Sequence, residues 1–265
     1  MTMDTHQAAD LLLGAYATGV PVDPFQDLTL EQAYAVQLAQ VERWQRDGRT
    51  VKGHKVGLTS AAMRRQLGVD RPDYGHLLDT MFHLDAAPID AGAFLQPRIE
   101  PEIAFVLRRD LAGPGVTAAA AAAAVDFVLP ALEIIDSRIR DWKITLTDTV
   151  ADNASCGGVV LGSTPTPPHG LDLALTGCLL SVDGRITDTG AGGAVLGHPL
   201  NALVWLANTL GERGVVLRAG DVVLPGSVTA AIPVAPGQAV TAAFAGLGSV
   251  TADFSGGTAS RGGTA

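Results

Sequence analysis

The stretch Arg98-Ile99-Glu100-Pro101-Glu102-Ile103-Ala104-Phe105-Val106-Leu107 alternates along its length. Ile99, Ile103, Phe105 and Leu107 fall on one side; Glu100, Glu102, Ala104 and Val106 fall on the other. A period of two is that of a β-strand, whose successive side chains point to opposite faces. From about Met81 onward the neighbouring sequence has the same texture, with short β-type runs broken by Gly and Pro. Strands are expected at Phe127 to Ile135, Gly158 to Leu161, Leu179 to Val182, Val222 to Leu224, Ala239 to Phe244 and Gly248 to Phe254. The last two flank Ala245-Gly246-Leu247, a tight hairpin connection. Two helices interrupt the pattern: the alanine-rich Val116 to Phe127, and Pro199 to Arg213 with Leu200, Leu203, Val204, Ala207 and Leu210 at helical spacing. Ser163 to Gly170 reads as a surface loop and Gly190 to Gly193 as a flexible one.

Upstream the period changes. From Met3 to Gly48, Ala8, Leu11, Leu12 and Ala15, then Ala33, Val36, Ala39, Val41 and Trp44, follow helical spacing. Thr29 with Gln32 forms a capping box that satisfies the free amides at a helix start. A short helix is expected from Ser60 to Leu67, ended by Gly68. The tail, rich in Gly, Ser and Thr, cannot offset its ordering entropy. The expected organisation is an N-terminal helical region over 1–80, a β-rich body over 81–255 and a disordered tail over 256–265, giving the class α+β.

With 265 residues, 47% of them hydrophobic, the chain can bury a full core without staples. Its formal charge of -9, from 18 Lys and Arg against 27 Asp and Glu, leaves no basic patch for nucleic acid. No apolar run approaches the roughly 18 to 20 residues that cross a bilayer, and MTMDTHQAAD lacks the basic and apolar regions of a secretion signal. A cytoplasmic protein without a membrane partner is expected. Cys156 and Cys178 form no CxxC and no zinc spacing, so both read as buried small apolar groups.

Glu100 and Glu102, two apart in a strand, share a face, and Glu133 lies in the apolar run Leu129-Pro130-Ala131-Leu132-Glu133-Ile134-Ile135. Like charges held close raise one another's pKa unless a cation neutralises them, and oxygen donors alone suit Mg²⁺ or Mn²⁺. The alternative is a solvated strand face, with Glu133 paired to an arginine such as Arg138. Lys55, in Gly53-His54-Lys55-Val56-Gly57, is a candidate partner for a substrate carboxylate or enolate, or else a solvated turn lysine; the two glycines would let the backbone approach a ligand. Asp73, in Arg71-Pro72-Asp73-Tyr74-Gly75, is a candidate acid/base or else a turn residue. Asn153-Ala154-Ser155-Cys156-Gly157 lacks the leading glycine of a nucleophile elbow, so a polar contact or loop-structuring role is expected there. No HExxH, GxxxxGK[ST] or strand-linked GxGxxG occurs, and His198 before Pro199 reads as structural or as a helix start.

Six segments together resemble the 2-keto-4-pentenoate hydratase (2-hydroxypenta-2,4-dienoate hydratase) family, in the hydratase/decarboxylase branch of the fumarylacetoacetate hydrolase superfamily. They are Lys55 to Ser60, Gln96 to Ala104, Leu129 to Glu133, Asp136 to Trp142, Asp148 to Gly157 and Leu196-Gly197-His198-Pro199. Their order and spacing match from about residue 8 to 254. The resemblance implies a mixed β-roll like the fumarylacetoacetate hydrolase C-terminal domain, with the helical arm at its N-terminus. It implies Mg²⁺ or Mn²⁺ held by Glu100, Glu102 and Glu133, with Lys55 and Asp73 catalytic and Ser155, Leu58 and Arg98 on the substrate. It further implies a homo-oligomer and the hydration of 2-hydroxypenta-2,4-dienoate to 4-hydroxy-2-oxopentanoate in meta-cleavage catabolism of aromatic compounds. The segment Leu224 to Ala231 departs from the Thr-Gly form of some hydratases and is expected to border the substrate tail. The competing readings are 2-oxo-3-hexenedioate (4-oxalocrotonate) decarboxylase, a hydratase for the longer 2-oxohept-3-ene-1,7-dioate, and a noncatalytic scaffold subunit.

Overall fold

The structure is a computed structural model that describes residues 4–61, 64–65 and 68–256. Helix α1, Thr5–Thr18, buries Ala8, Leu12 and Ala15 at helical spacing and stops at Gly19, whose φ of 68° favours glycine. Helix α2, Leu30–Arg46, starts at the expected capping box: Gln32 donates its N–H to Thr29 Oγ1 at 3.2 Å, and Thr29 donates its own to Gln32 Oε1 at 2.9 Å.

The strands are β1 Val51–Gly57, β2 Asp73–Leu78, β3 Phe82–Leu84, β4 Pro88–Asp90, β5 Arg98–Leu107, β6 Val125–Ile135, β7 Cys156–Leu161, β8 Gly177–Val182, β9 Arg185–Ala191, β10 Val222–Leu224, β11 Ile232–Pro233, β12 Ala239–Phe244 and β13 Gly248–Gly256. One sheet runs β2-β1-β10-β5-β6-β7-β3, with β11 also on β5; the other runs β4-β13-β12-β8-β9. Both are mixed, with parallel pairs β1/β10, β3/β7 and β4/β13. Ile103 and Phe105 of β5 and Leu132 and Ile134 of β6 share one core with Leu180, Val240, Ala242, Val250 and Phe254 of the second sheet. The opposite face of β5 and β6 carries Ala104, Leu129 and Ala131, and is covered by Val41 and Trp44 of α2 with Leu13 and Tyr16 of α1 beside them. That burial on both faces is the α+β mixed roll with a helical arm that the sequence implies.

The helical arm ends sooner than 1–80: it stops at Arg46, and β1 and β2 belong to the main sheet. Every residue of β2 is buried, as are Gly53 to Val56 of β1, so no alternation marks these strands in the sequence. The alanine-rich helix spans only Ala118–Ala124, because the β-branched, buried Val125 opens β6. Gly190 lies within β9 rather than in a flexible loop, packed so closely that a Cβ would overlap the Val228 carbonyl. The hairpin at Ala245 to Leu247 and the exposed loop at Ser163 to Gly170 are as expected. His198 caps the helix Pro199–Gly211, accepting the Leu200 N–H at 3.0 Å. Residues 62, 63, 66 and 67 of the expected short helix, and 257–265 of the expected tail, lie outside the described residues. No helix among the described residues is long and apolar enough to cross a membrane.

Candidate active site

Antiparallel pairing sets Glu133 of β6 directly opposite Glu100 of β5, and Glu102 follows one pleat along the same face. Ligand oxygens of the three carboxylates all lie within 4.8 Å of one another. Pro101 between them is tolerated because the ladder has a gap there: β10 pairs with Phe105 and Val106, and β11 with Arg98 and Ile99. The loop after β10 crosses that gap, and Gly226 donates its N–H to Glu102 Oε2 at 2.7 Å. Gly226 has φ 121° and its Cα hydrogens face Thr59 so closely that a Cβ would overlap the threonine side chain.

Glu102 and Glu133 are fully buried. Glu102 Oε1 and both oxygens of Glu133 lack a hydrogen-bond partner. Burial pushes all three glutamates above the ordinary carboxylate range, Glu133 to about 7; the charges of Glu133 and Glu100 add to it at Glu102, that of Glu100 at Glu133, and that of Asp73 at Glu100. An oxygen-only trio, with Glu102 and Glu133 buried and under-satisfied and Glu100 half-buried at the cavity, fits a hard divalent cation. The solvated-face alternative fails, and Arg138 pairs with Asp152 rather than Glu133.

Lys55 is the partner Glu133 has, its Nζ 3.4 Å from Oε1 and donating to the Ala154 carbonyl at 3.0 Å. Burial alone would favour the neutral amine, but the charges of Glu133, Asp73 and Glu100 outweigh it and raise the pKa, so Lys55 stays cationic. Asp73 opens β2 opposite Gly57. It is buried, its Oδ1 unpartnered, and burial raises its pKa against the pull of Lys55. Neither residue is the solvated turn group of the alternative reading. Of the two glycines, Gly53 serves the sheet, since a Cβ there would overlap the Val222 backbone, while Gly57 lines the cavity, and a Cβ on it would overlap Asp73 Oδ1.

Ser155 ends a turn in which Asn153, Ala154 and Ser155 all have left-handed backbone, with φ 51°, 52° and 54°. That region costs a non-glycine residue roughly 1–2 kcal/mol. Ser155 Oγ lies 3.3 Å from Thr149 Oγ1, and Asn153 exchanges hydrogen bonds with the His76 backbone at 2.8 and 2.9 Å. Leu58, Asp141 and Trp142 are left-handed too, with φ 56°, 58° and 55°. All of these left-handed residues except Asn153 line one cavity of about 300 Å³.

That cavity brings together Lys55, Leu58, Asp73, Arg98, Glu100 and Ser155, closed by Ile135, Trp142 and Ile144. Glu102 and Glu133 lie behind its wall. Arg98 stacks over the Trp142 ring at 4.4 Å. A second cavity of about 450 Å³ adjoins it at Leu58, Glu100 and Ala231, bordered by Gly226 to Ala231 as the sequence implies. Sequence reasoning missed the Gly226 amide, the Ala154 carbonyl and Trp142 as part of the site. Pro225-Gly226 after a strand was a usable signal; the carbonyl, a backbone atom, had none.

The fumarylacetoacetate (FAA) hydrolase C-terminal family pattern matches residues 53–255. The chain belongs to the fumarylacetoacetate hydrolase family. Among its relatives, the 2-keto-4-pentenoate hydratase of Paraburkholderia xenovorans (strain LB400) is 48% identical over 252 residues, 94% of each chain. The 2-hydroxyhexa-2,4-dienoate hydratase of Comamonas testosteroni is 44% identical, over 88% of this chain and 89% of that one. In structure, the 4-oxalocrotonate decarboxylase from Pseudomonas putida G7, complexed with magnesium and adipate, superposes with a TM-score of 0.91 at 37% identity, covering 94% of this chain and 96% of that one.

Proposed function

We propose that this member of the family is a divalent-metal-dependent hydro-lyase that converts 2-hydroxypenta-2,4-dienoate to 4-hydroxy-2-oxopentanoate. The observation that carries the reading is the convergence of Glu100, Glu102 and Glu133 on one another, with Glu100, Lys55 and Asp73 lining one small cavity, in a chain whose relatives are named as hydratases of such acids. Glu100, Glu102 and Glu133 would hold Mg²⁺ or Mn²⁺. When bound, the ion supplies Lewis acidity to the carboxylate end and C2 oxygen of the substrate.

Lys55, cationic and fixed by Glu133 and the Ala154 carbonyl, opposes the negative charge that develops at the C2 oxygen. Asp73, whose carboxyl is held above the ordinary carboxylate range by burial, delivers its proton to C5 as the C2 hydroxyl releases its own to water, leaving a C3–C4 double bond conjugated to the ketone. The resulting carboxylate then assists water in its attack on C4, and C3 takes the proton. Ser155 Oγ hydrogen-bonds the substrate or that water. Leu58, Ile135, Ile144 and Trp142 give the flat apolar diene a wall that excludes bulk water.

A second reading, decarboxylation of 2-oxo-3-hexenedioate, is favoured by one observation. Arg98 lines the same cavity, stacked on Trp142 and with its charge acting on Glu100, and a second substrate carboxylate in that cavity would meet this cation. Retention of Lys55 and the buried glutamates argues against a noncatalytic scaffold. A homo-oligomer is the proposed assembly, supported by the exposed Leu175, Leu179 and Ile186 around β8 and β9. A reducing cytoplasmic setting fits two buried, unpaired cysteines.

The test is to strip the protein with chelator, restore Mg²⁺ or Mn²⁺, and follow the dienoate absorbance with products identified by mass. Metal-dependent gain of one water, abolished in Glu100→Gln, establishes the hydratase. No turnover of that acid, with CO₂ released from 2-oxo-3-hexenedioate, moves the assignment to the decarboxylase.

A further inference from the structure

The left-handed turn Asn153 to Ser155 is an improbable conformation for three consecutive L-residues, and it faces the site with consequences at both ends. Its middle carbonyl, Ala154 O, receives the Lys55 ammonium at 3.0 Å, and Ala154 and Ser155 form part of the cavity wall. A different backbone at these residues would turn that carbonyl away and leave Lys55 with the glutamate alone.

The turn is gripped from outside the cavity. Arg138 donates through its main-chain N–H to Asp152 Oδ2 at 2.9 Å, through Nε to Asp152 Oδ1, and through Nη2 to the Asp152 carbonyl at 2.8 Å. One arginine therefore fixes both carboxylate oxygens and the carbonyl of the residue immediately before the turn. The Asp152 carbonyl also receives the Ser155 N–H at 2.9 Å, and the Ser155 carbonyl receives the Asp136 N–H at 2.8 Å, which closes the turn at its far end. Arg138 is fully buried, stacks over the Tyr16 ring of α1 at 4.2 Å, and has Asp136 Oδ2 3.8 Å from Nη1. It is not among the residues that line the cavity.

A buried ion pair is by itself weak evidence of stability, since apolar replacements of similar volume are often as stable. What this pair specifies is conformation. We infer that Arg138 is a positioning residue for Lys55 and Ser155: by clamping Asp152 it holds Asn153 to Ser155 left-handed, and so keeps the Ala154 carbonyl against the Lys55 ammonium. The inference rests on the reading above that Lys55 and Ser155 face the substrate. The planar fork matters as much as the charge, because Nε and Nη2 donate to two acceptors on one residue, Asp152 Oδ1 and its carbonyl, in fixed geometry.

The experiment compares Mn²⁺-loaded wild type with Arg138→Met, Arg138→Lys and Asp152→Asn by crystallography, Mn²⁺ titration calorimetry and steady-state kinetics. In Arg138→Met, Ala154 is expected to leave the left-handed region and its carbonyl to move out of hydrogen-bond reach of Lys55, while Glu100, Glu102 and Glu133 superpose and Mn²⁺ affinity stays within about threefold. A misplacement of that kind is expected to lower kcat about a hundredfold, with KM changing far less. Ser155→Ala should cost activity in the wild type and add nothing on the Arg138→Met background, since the hydroxyl is already misplaced. Arg138→Lys keeps the cation without the fork and should recover little. If Arg138→Met does not fold, Asp152→Asn, nearly isosteric, takes its place with the same readouts. An unchanged turn in the crystals of the folded variants overturns the inference, as does a Ser155→Ala loss that simply multiplies with that of Arg138→Met. Should the wild type leave the dienoate untouched, the hydratase reading fails, and the turn geometry in the variants still decides the role of Arg138.

Discussion

Gly57 shows how closely the two charged residues of the site are packed. It sits opposite Asp73 in the β1/β2 ladder, and a methyl group there would overlap Asp73 Oδ1 and press on Lys55 Nζ. Gly57→Ala is expected to lower kcat sharply and stability by about 1–3 kcal/mol, the usual cost of overpacking, while calorimetry shows Mn²⁺ binding intact. The glutamates carry a second expectation. Their folded pKa values are raised above the ordinary 4.5, Glu133 to about 7, so in metal-free protein their protonation stabilises the fold at low pH, and that stability is lost as pH rises through the raised values, for Glu133 through about 7. A divalent ion takes over where the protons leave. The gap in Tm between Mg²⁺-loaded and chelator-stripped protein should therefore widen from pH 5 to pH 8; a constant gap would remove the ion from these carboxylates. The candidate metal trio was legible in part: strand alternation places Glu100 and Glu102 on one face, and a carboxylate inside the apolar run around Glu133 has to be buried with a partner, while the joining of all three as one ligand set came from the family resemblance. Lys55 and Asp73 were legible only as candidates, since their burial arises from β1 and β2 being covered on both faces, which no local pattern encodes.

At the scale of elements, α2 supports the site from behind. Gln37, fully buried, donates through Nε2 to the carbonyls of Tyr74 at 3.0 Å and Val150 at 2.8 Å, and Gln40 reaches the Ala151 carbonyl at 2.7 Å. These bonds tie the helix to β2 and to the short helix Leu146–Ala151 that leads into the left-handed turn. Gln37→Leu would leave two buried carbonyls unpaired, and chemical denaturation should show a loss of about 1–3 kcal/mol. Metal affinity should be unchanged, since Gln37 touches none of the glutamates. The capping box announced where α2 starts. Its inward face reads as polar at Gln37 and Gln40, and only the tertiary contacts explain why two amides sit in a core. The early end of the alanine-rich helix has the opposite cause: local propensity favoured a longer helix, and burial of Val125 in the sheet overrode it.

For the molecule as a whole, the two faces of the main sheet have different covers, the second sheet on one side and the helical arm on the other. The family pattern begins at residue 53, which leaves both helices outside it. They are nevertheless part of the core: Trp44 and Val41 cover Ala104, Leu129 and Ala131, and Tyr16 lies over Arg138. A variant beginning at residue 50 is expected to lose cooperative unfolding in calorimetry and to bind an apolar dye strongly; a cooperative transition near that of the full chain would show the arm to be dispensable. The order of strands has one more result. β1, which carries Lys55 and leads to Asp73, does not pair with the glutamate strands in the sheet, because β10 lies between β1 and β5. Val222 to Leu224 is made some ninety residues after Glu133, on the arithmetic of their positions. During synthesis, then, the strands that carry Lys55 and the glutamates are both made before the three-residue strand that separates them in the sheet, so completion of the site is expected to wait for this late wedge.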